Sequence, residues 1–178
     1  MITKVKIHGY RIFKDFEFKP NDGFNLIVGS NESGKSTLLE AMVLALTGRI
    51  NGRRAGDELN PYWFNVGLVK EFIEKRSSGA KVAPPEIRIE VFFEDRDDLQ
   101  KLSGAINSEV PTMACPGLSF RVIPNPDYLA DLEEWAQNPS TILPVEYYKE
   151  DWRDFADNKL TNRPRQLATS VIDSRTVR

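Results

Sequence analysis

The chain has 178 residues, and this length is enough for one substantial hydrophobic core. Its net charge of −2 gives no whole-molecule attraction to nucleic acid, so any contact with DNA must use a local basic patch. The chain has a single cysteine and a single histidine, which exclude a disulfide framework and a His/Cys metal cluster. It shows no apolar run of membrane-spanning length and no signal peptide, so we expect a cytoplasmic location.

The first part of the chain alternates between apolar and polar residues. This pattern predicts two short strands, over residues 2–10 and 15–18, joined as an antiparallel hairpin by the short link 11–14. A turn follows at 21–23. The apolar run at 24–28 then predicts a buried strand.

A glycine-rich motif follows that strand. Residues 29–37 spell Gly-Ser-Asn-Glu-Ser-Gly-Lys-Ser-Thr, which is the complete Gly-x4-Gly-Lys-Ser pattern of a phosphate-binding loop. After it, residues 35–46 lack Gly and Pro and predict a helix that ends near Gly48. Strand, glycine loop and helix in this order favour nucleotide binding over a glycine turn that only joins two elements.

The residue types of this loop suit a triphosphate. Gly29 and Gly34 have no Cβ, so the backbone can curl and direct its N–H groups at an anion. Lys35 is expected to place a cation on the β- and γ-phosphates, Ser36 to bind Mg²⁺, and Thr37 to face the α-phosphate. The predicted nucleotide contacts within the loop are Ser30, Asn31, Glu32, Ser33, Gly34, Lys35, Ser36 and Thr37, with Lys35 as the catalytic residue and Ser36 as the metal ligand.

The remaining chain favours antiparallel strands with inserted helices. Strands are predicted at 86–93, 118–123, 144–155 and 171–173, and the first of them is expected to be half-exposed. Helices are predicted at 66–76, 96–102 and 126–137, and the last of them is expected to direct Leu129, Leu132 and Trp135 inward. Residues 49–65 are predicted to form a long loop. The predicted fold class is therefore α/β, a P-loop NTPase with a mixed sheet and an antiparallel meander. Its parts are a nucleotide core (1–48), a loop and helix (49–85) and the meander (86–178).

Two further motifs imitate parts of an ATPase. Glu94-Asp95 follows a strand as a magnesium-holding acid would, but the alternation of that strand favours a structural role. The segment 102–105, Leu-Ser-Gly-Ala, imitates an ABC-type signature, but its position favours Gly104 as a helix C-cap. Without these motifs the chain lacks half of a catalytic apparatus, so we expect it to be the N-terminal segment of an incomplete ATPase head.

Three segments together resemble the ABC-type ATPases of the SMC and RecF group. They are the opening segment 7–13, Ile-His-Gly-Tyr-Arg-Ile-Phe; the Gly-x-Asn form of the loop; and the run 34–41, Gly-Lys-Ser-Thr-Leu-Leu-Glu-Ala. The Asn-Glu-Ser-Gly sequence of the loop and the segment 144–148 are most similar to those of the OLD family of ATP-dependent endonucleases. The specific part of the resemblance covers residues 2–46.

This resemblance implies ATP and Mg²⁺ as cofactors, a second ATPase head as partner, and Arg11 facing the phosphates from the first strand turn. It also implies a DNA-processing role in repair, defence or nuclease action, with the missing acid and signature supplied by downstream sequence and the second head. No acidic Toprim motif of OLD nucleases is recognisable here, and Gln166 is not assigned to the Q-loop. The alternative from another class is a self-contained P-loop kinase or nucleotide-phosphate transferase, with an arginine-rich lid near residues 163–178.

Two secondary features leave alternatives open. Arg49, Arg53 and Arg54 form a local basic segment that is either a DNA phosphate contact or a solvated loop. Tyr10 and Phe13 either stack on adenine or, as we favour, pack at the end of a strand in the core.

Overall fold

The computed structural model describes residues 1–20 and 32–167, with side chains from Gly34 onward in the second range. The strands are β1 (Ile2–Tyr10), β2 (Phe13–Phe18), β3 (Arg49–Ile50), β4 (Arg53–Arg54), β5 (Ile87–Phe93), β6 (Ser103–Gly104), β7 (Cys115–Pro124) and β8 (Tyr148–Asp154). The helices are α1 (Glu32–Thr47), α2 (Val66–Ser77) and α3 (Leu129–Gln137).

The main sheet has the strand order β2–β1–β5–β7, and β6 and β8 both pair with β7. Every pairing among these strands is antiparallel. The predicted α/β class and the antiparallel meander are therefore confirmed. The strands predicted at 24–28 and 171–173 lie outside the described residues.

One face of the sheet carries the hydrophobic core. Because side chains alternate along a strand, Val5, Ile7, Ile89 and Phe120 share this face through their register, and each is almost fully buried. Helix α1 packs against the same face and contributes its buried side chains, Leu38, Ala41, Leu44, Ala45 and Leu46. The core thus fixes the helix that follows the glycine loop onto the sheet.

The opposite face of the sheet is polar but not fully exposed. Glu90 of β5 is only 1% exposed. Its carboxylate accepts a hydrogen bond from the Ser108 N–H at 2.8 Å and another from the Ser108 hydroxyl. The prediction of a half-exposed strand at 86–93 is therefore wrong, because the loop around Ser108 covers this face and satisfies the buried carboxylate.

Helix α1 ends where the sequence predicts. Gly48 has φ +66° and its N–H donates to the Leu44 carbonyl at 2.8 Å, which confirms the glycine C-terminus. Trp152 of β8 lies against it and donates its indole N–H to the Ala45 carbonyl at 2.8 Å. A Cβ at position 48 would lie 2.6 Å from Trp152 Cε3, so glycine is required there for space as well as for φ.

The segment 49–65 is not the plain loop that we predicted. Arg49–Arg54 forms a small hairpin whose turn residues, Asn51 and Gly52, have φ +50° and +76°. An Asn-Gly pair with positive φ at both positions is the preferred two-residue hairpin turn. Two 3-10 turns, Ala55–Glu58 and Pro61–Trp63, follow, and the Asn65 side chain caps α2 by accepting from the Leu68 N–H at 3.1 Å.

Three other elements differ in detail from the predictions. The predicted helix at 96–102 is a 3-10 segment, Asp97–Leu102. The helix at 126–137 begins with the 3-10 turn Pro126–Tyr128, and Leu129 is 53% exposed rather than inward, while Leu132 is buried. In the strand predicted at 144–155, the 3-10 turn Val145–Tyr147 occupies the first part and β8 begins only at Tyr148.

The structure favours the structural interpretation of the acidic pair and corrects that of the signature-like segment. Glu94 Oε1 accepts a hydrogen bond from the N-terminal ammonium of Met1 at 2.7 Å, so Glu94 lies at the Ile2 end of β1. The Tyr10 end, which contacts α1, is on the order of 25 Å away along that strand. Gly104 lies in β6, opposite Cys115, and is therefore not a helix C-cap as predicted.

Candidate functional site

The first turn of α1 carries the described part of the glycine loop. The helix begins at Glu32, three residues before the predicted start, so Glu32, Ser33 and Gly34 belong to its first turn. The first four N–H groups of a helix have no partner within the helix and form its positive end. Gly29, Ser30 and Asn31 lie outside the described residues.

The side chains at this helix start differ in exposure. Lys35 is half-buried, Ser36 is exposed, and Thr37 is 9% exposed. A lysine ammonium, an accessible hydroxyl and a helix N-terminus are the groups that a magnesium triphosphate needs, so these residues fit the implied cofactors. None of the His, Cys, Asp and Glu side chains in 1–20 and 34–167 forms a group of three or more that could hold a metal ion.

Arg11 lies in the turn between β1 and β2, and its side chain is directed to α1. Its Nε donates to Glu40 Oε1 at 2.8 Å and lies 3.3 Å from the Tyr10 hydroxyl oxygen. The Tyr10 hydroxyl donates to the same Glu40 oxygen. Two side chains, from Tyr10 at the end of β1 and Arg11 in the following turn, therefore meet at the Glu40 carboxylate of helix α1.

The backbone of Arg11 is fixed on both sides. Its φ of +48° is uncommon for a residue with a Cβ. The Arg11 N–H donates to the Trp63 carbonyl at 2.7 Å, and the Arg11 carbonyl accepts from Asn65 Nδ2 at 2.9 Å. The Asn65 N–H also donates to the Gly9 carbonyl at 2.9 Å. The segment 63–65 thus holds this turn in one conformation.

Tyr10 and Phe13 belong to the packing of the protein. Tyr10 is fully buried, and its ring meets that of Trp63 edge-on, with 6.3 Å between centroids. Burial, followed by the hydrogen bond to Glu40, raises the pKa of Tyr10, so its hydroxyl keeps its proton and donates it. Phe13 stacks on Phe16 at 4.4 Å. The core interpretation is the correct one for Tyr10, because a fully buried ring offers no face to adenine.

The basic segment forms an exposed hairpin. Arg49, Arg53 and Arg54 are all exposed, and Arg53 pairs with Glu58 at 3.3 Å. Beside the hairpin lies a cleft of about 380 Å³ whose charged lining residues are Arg49, Arg54, Lys149, Glu150 and Lys159. Burial raises the pKa of the Glu150 carboxyl above its usual range.

Sequence reasoning missed three residues that the structure adds to these groups. Glu40 stands four residues after Ser36, and this spacing places both on one side of a helix, so the signal was available. Lys149 and Lys159 reach the basic cleft only through tertiary packing of β8 and its following turn, and no local pattern marks them.

None of the helices in the described part of the chain has the length and apolar character needed to cross a bilayer.

Comparison with known proteins identifies a family for most of the chain. Residues 4–167 match a family model described as an AAA domain. A DNA replication and repair protein RecF from Nitrosococcus oceani is 27% identical over 143 residues, covering 76% of this chain and 38% of the relative.

Shorter matches have higher identity. The RecF protein of Chloroherpeton thalassium is 54% identical over 41 residues, 23% of this chain and 11% of the relative. A DNA double-strand break repair Rad50 ATPase from Methanopyrus kandleri is 46% identical over 46 residues, 26% of this chain and 5% of the relative. The matched regions therefore span well under half of each of these relatives. All three agree with the predicted resemblance to the SMC and RecF group.

Proposed function

Because the chain belongs to the AAA-domain family, we propose that residues 29–37 bind ATP with Mg²⁺ and that the chain is the ATP-binding segment of a DNA-processing ATPase. The relatives named for replication and repair support a repair role. The narrower likeness to OLD endonucleases, with a nuclease elsewhere in the full-length protein, is part of the same proposal.

The observation that carries this proposal is the placement of the motif. Gly34 and Lys35 lie in the first turn of helix α1, and the following turns pack onto the central sheet through Leu38, Ala41 and Leu44. A helix packed in this way holds the backbone of its first turn in a fixed position, and Lys35 extends from that turn. Fixed donors bind a phosphate without first losing the entropy of ordering.

Each residue of the proposed site has a separate role in binding the nucleotide. Lys35 would bind the β- and γ-phosphates, and Thr37 would lie at the α-phosphate, with the N–H groups of residues 30–34 around the anion. Ser36 would hold Mg²⁺, which supplies positive charge beside the phosphates. Arg11 would add a cation from the β1–β2 turn.

Hydrolysis needs more than these groups. The acidic candidate Glu94 is engaged by the Met1 ammonium at the far end of β1. We therefore propose that the acid and the signature come from further sequence and from a second ATPase head, and that this chain alone hydrolyses ATP slowly.

Equilibrium binding to the purified chain tests the proposal. Titration calorimetry with Mg-ATP is expected to show saturable one-site binding that weakens when EDTA removes Mg²⁺, because Ser36 then has no metal to hold. Adenosine is the control, since it lacks every phosphate group that the loop would bind. Absence of ATP binding, or equal affinity for adenosine, would contradict the proposal.

Product analysis with γ-labelled ATP separates the alternative from another class. The proposed ATPase segment yields little free phosphate and no labelled small molecule. Label transferred to a small acceptor would instead support a P-loop kinase or phosphotransferase.

The basic hairpin supports DNA as a partner. Its arginines are exposed, and the adjoining cleft brings Lys149 and Lys159 to the same side. Four cations around one cleft, in a chain whose net charge is −2, form the kind of local patch that phosphate contacts require.

Replacing Arg49 and Arg54 together by glutamine is expected to weaken binding to duplex DNA and to reduce the slope of log K against log salt by about 2, since each lost phosphate contact removes about one. The matched control replaces Arg96 and Lys101, two exposed cations elsewhere, by glutamine. Equal loss in both double variants would indicate a general charge effect and would remove the hairpin from the proposal.

A further inference from the structure

Glu40 occupies a position that joins the β1–β2 turn to the nucleotide-binding helix. Its carboxylate accepts from the Tyr10 hydroxyl and from Arg11 Nε, and the Tyr10 ring is fully buried beneath them. A buried tyrosine hydroxyl donates in a fixed direction, so it restricts the rotamer of the carboxylate that it reaches.

The helix relates Glu40 to the predicted metal ligand. Residues four apart lie on the same side of a helix, separated by a rise of about 6 Å. Ser36 therefore stands one turn nearer the start of α1 than Glu40, on the same side of the helix. A side chain held by Glu40 and directed along the helix toward its start would approach the phosphate end of the nucleotide.

Arg11 has hydrogen-bonding capacity left for such a ligand. Among the described residues, its guanidinium donates only through Nε, which leaves both terminal nitrogens without a hydrogen-bond partner. Its side chain is 35% exposed, and its backbone is held by Trp63 and Asn65. A guanidinium fixed at one edge and open at the other can grip a phosphate through its two terminal N–H groups.

We propose that Glu40 is a positioning residue that holds the Arg11 guanidinium toward the phosphates of the bound nucleotide, with the Tyr10 hydroxyl fixing Glu40. This inference rests on the proposed function, because it needs a nucleotide in the loop. It assigns to Glu40 a role in ATP affinity although Glu40 itself does not touch the nucleotide.

A double-mutant cycle tests the proposal. Arg11→Ala and Glu40→Ala are each expected to weaken ATP binding about tenfold, the worth of one charge-assisted hydrogen bond. The double variant is expected to be no weaker than either single one, because both remove the same contact. AMP carries fewer phosphate charges, so the ratio of ATP to AMP affinity should fall along with the ATP affinity.

Two milder variants separate positioning from charge neutralisation. Glu40→Gln keeps an acceptor oxygen for Tyr10 and Arg11, so its ATP affinity is expected to stay within about threefold of wild type. Tyr10→Phe removes only the hydroxyl and is expected to weaken ATP binding about threefold. If the negative charge of Glu40 merely competed with phosphate, Glu40→Gln would bind ATP more tightly than the wild type, and the proposal would be wrong.

The pair Arg76 and Glu133, between α2 and α3, is the matched control. It joins the same two residue types at 2.6 Å. Alanine at either position should leave ATP affinity unchanged when all proteins are assayed below their unfolding transitions. If Glu40→Ala does not fold, the Glu40→Gln and Tyr10→Phe affinities decide.

The outcomes distinguish this inference from its premise. If the wild type binds no ATP, the proposed function and this inference both fail. If the wild type binds ATP but Arg11→Ala and Glu40→Ala bind equally well, only the inference fails. Losses that add in the double variant, or equal losses for ATP and AMP, would show independent or merely structural effects and would also overturn it.

Discussion

Replacing Lys35 by alanine is expected to abolish ATP binding at concentrations that saturate the wild type. Lys35 is half-buried in the first turn of α1, where an ammonium and a phosphate would meet partly shielded from water. Truncating one partner of such a hydrogen-bonded charge pair costs at least about 2 kcal/mol and often much more, which is a loss of about thirtyfold to several thousandfold in affinity.

The control for this variant is Lys70→Ala. Lys70 is an exposed residue of helix α2, so the same atoms are removed from another helix without approaching the loop. Calorimetric titration of the three proteins with Mg-ATP measures the difference. Binding by Lys35→Ala within a few-fold of wild type would refute the assignment of the loop.

Replacing Gly104 by alanine is expected to be the most damaging single change to the fold. A Cβ at this position would stand 1.9 Å from the Phe155 carbonyl oxygen and 2.7 Å from the Ala156 Cα, both backbone atoms that cannot rotate away. That carbonyl also accepts from the Ile106 N–H at 3.1 Å. Separating β6 from this segment should cost more than about 3 kcal/mol in the free energy of unfolding.

Chemical denaturation of the purified variant measures this cost. Gly52→Ala is the matched control, because Gly52 has φ +76° but a Cβ added there would meet no atom within 4 Å. Its cost should be limited to the backbone strain, about 1 kcal/mol. Comparable stability of Gly104→Ala and wild type would mean that β6 does not lie against Phe155 as described.

The sequence predicted elements whose periodicity is strong and local. The strand at 2–10 and the helix ending at Gly48 were predicted because alternation and a glycine terminus require no distant partner. The hairpin at 49–54 was missed although Asn51-Gly52 is a recognised turn signal, because two-residue strands are too short to show alternation.

The burial of Glu90 and the environment of Gly104 could not be predicted without the tertiary structure. Glu90 alternates with apolar neighbours and so predicted an exposed face, but Ser108, eighteen residues later, covers it. Gly104 was assigned to a helix end because its contact with Phe155 is invisible in the local sequence. In both cases a distant segment decided the environment of the residue.

The candidate site divides in the same way. Lys35, Ser36 and Thr37 could be named from spacing alone, since the phosphate-binding pattern is contiguous. The contact of Arg11 with Glu40 joins residues twenty-nine positions apart and required the packing of α1 on the sheet. The resemblance to the SMC and RecF group, stated from residues 2–46, is confirmed by the relatives.

The position of Trp152 makes its intrinsic fluorescence a reporter of helix α1. Its indole is 6% exposed and is tied to the last turn of α1, the helix whose other end carries Lys35. Any tilt of that helix on occupation by a ligand would alter the surroundings of the indole and shift or quench its emission. Ultraviolet-excited fluorescence of the unlabelled chain could therefore follow nucleotide uptake in real time, with no dye attached.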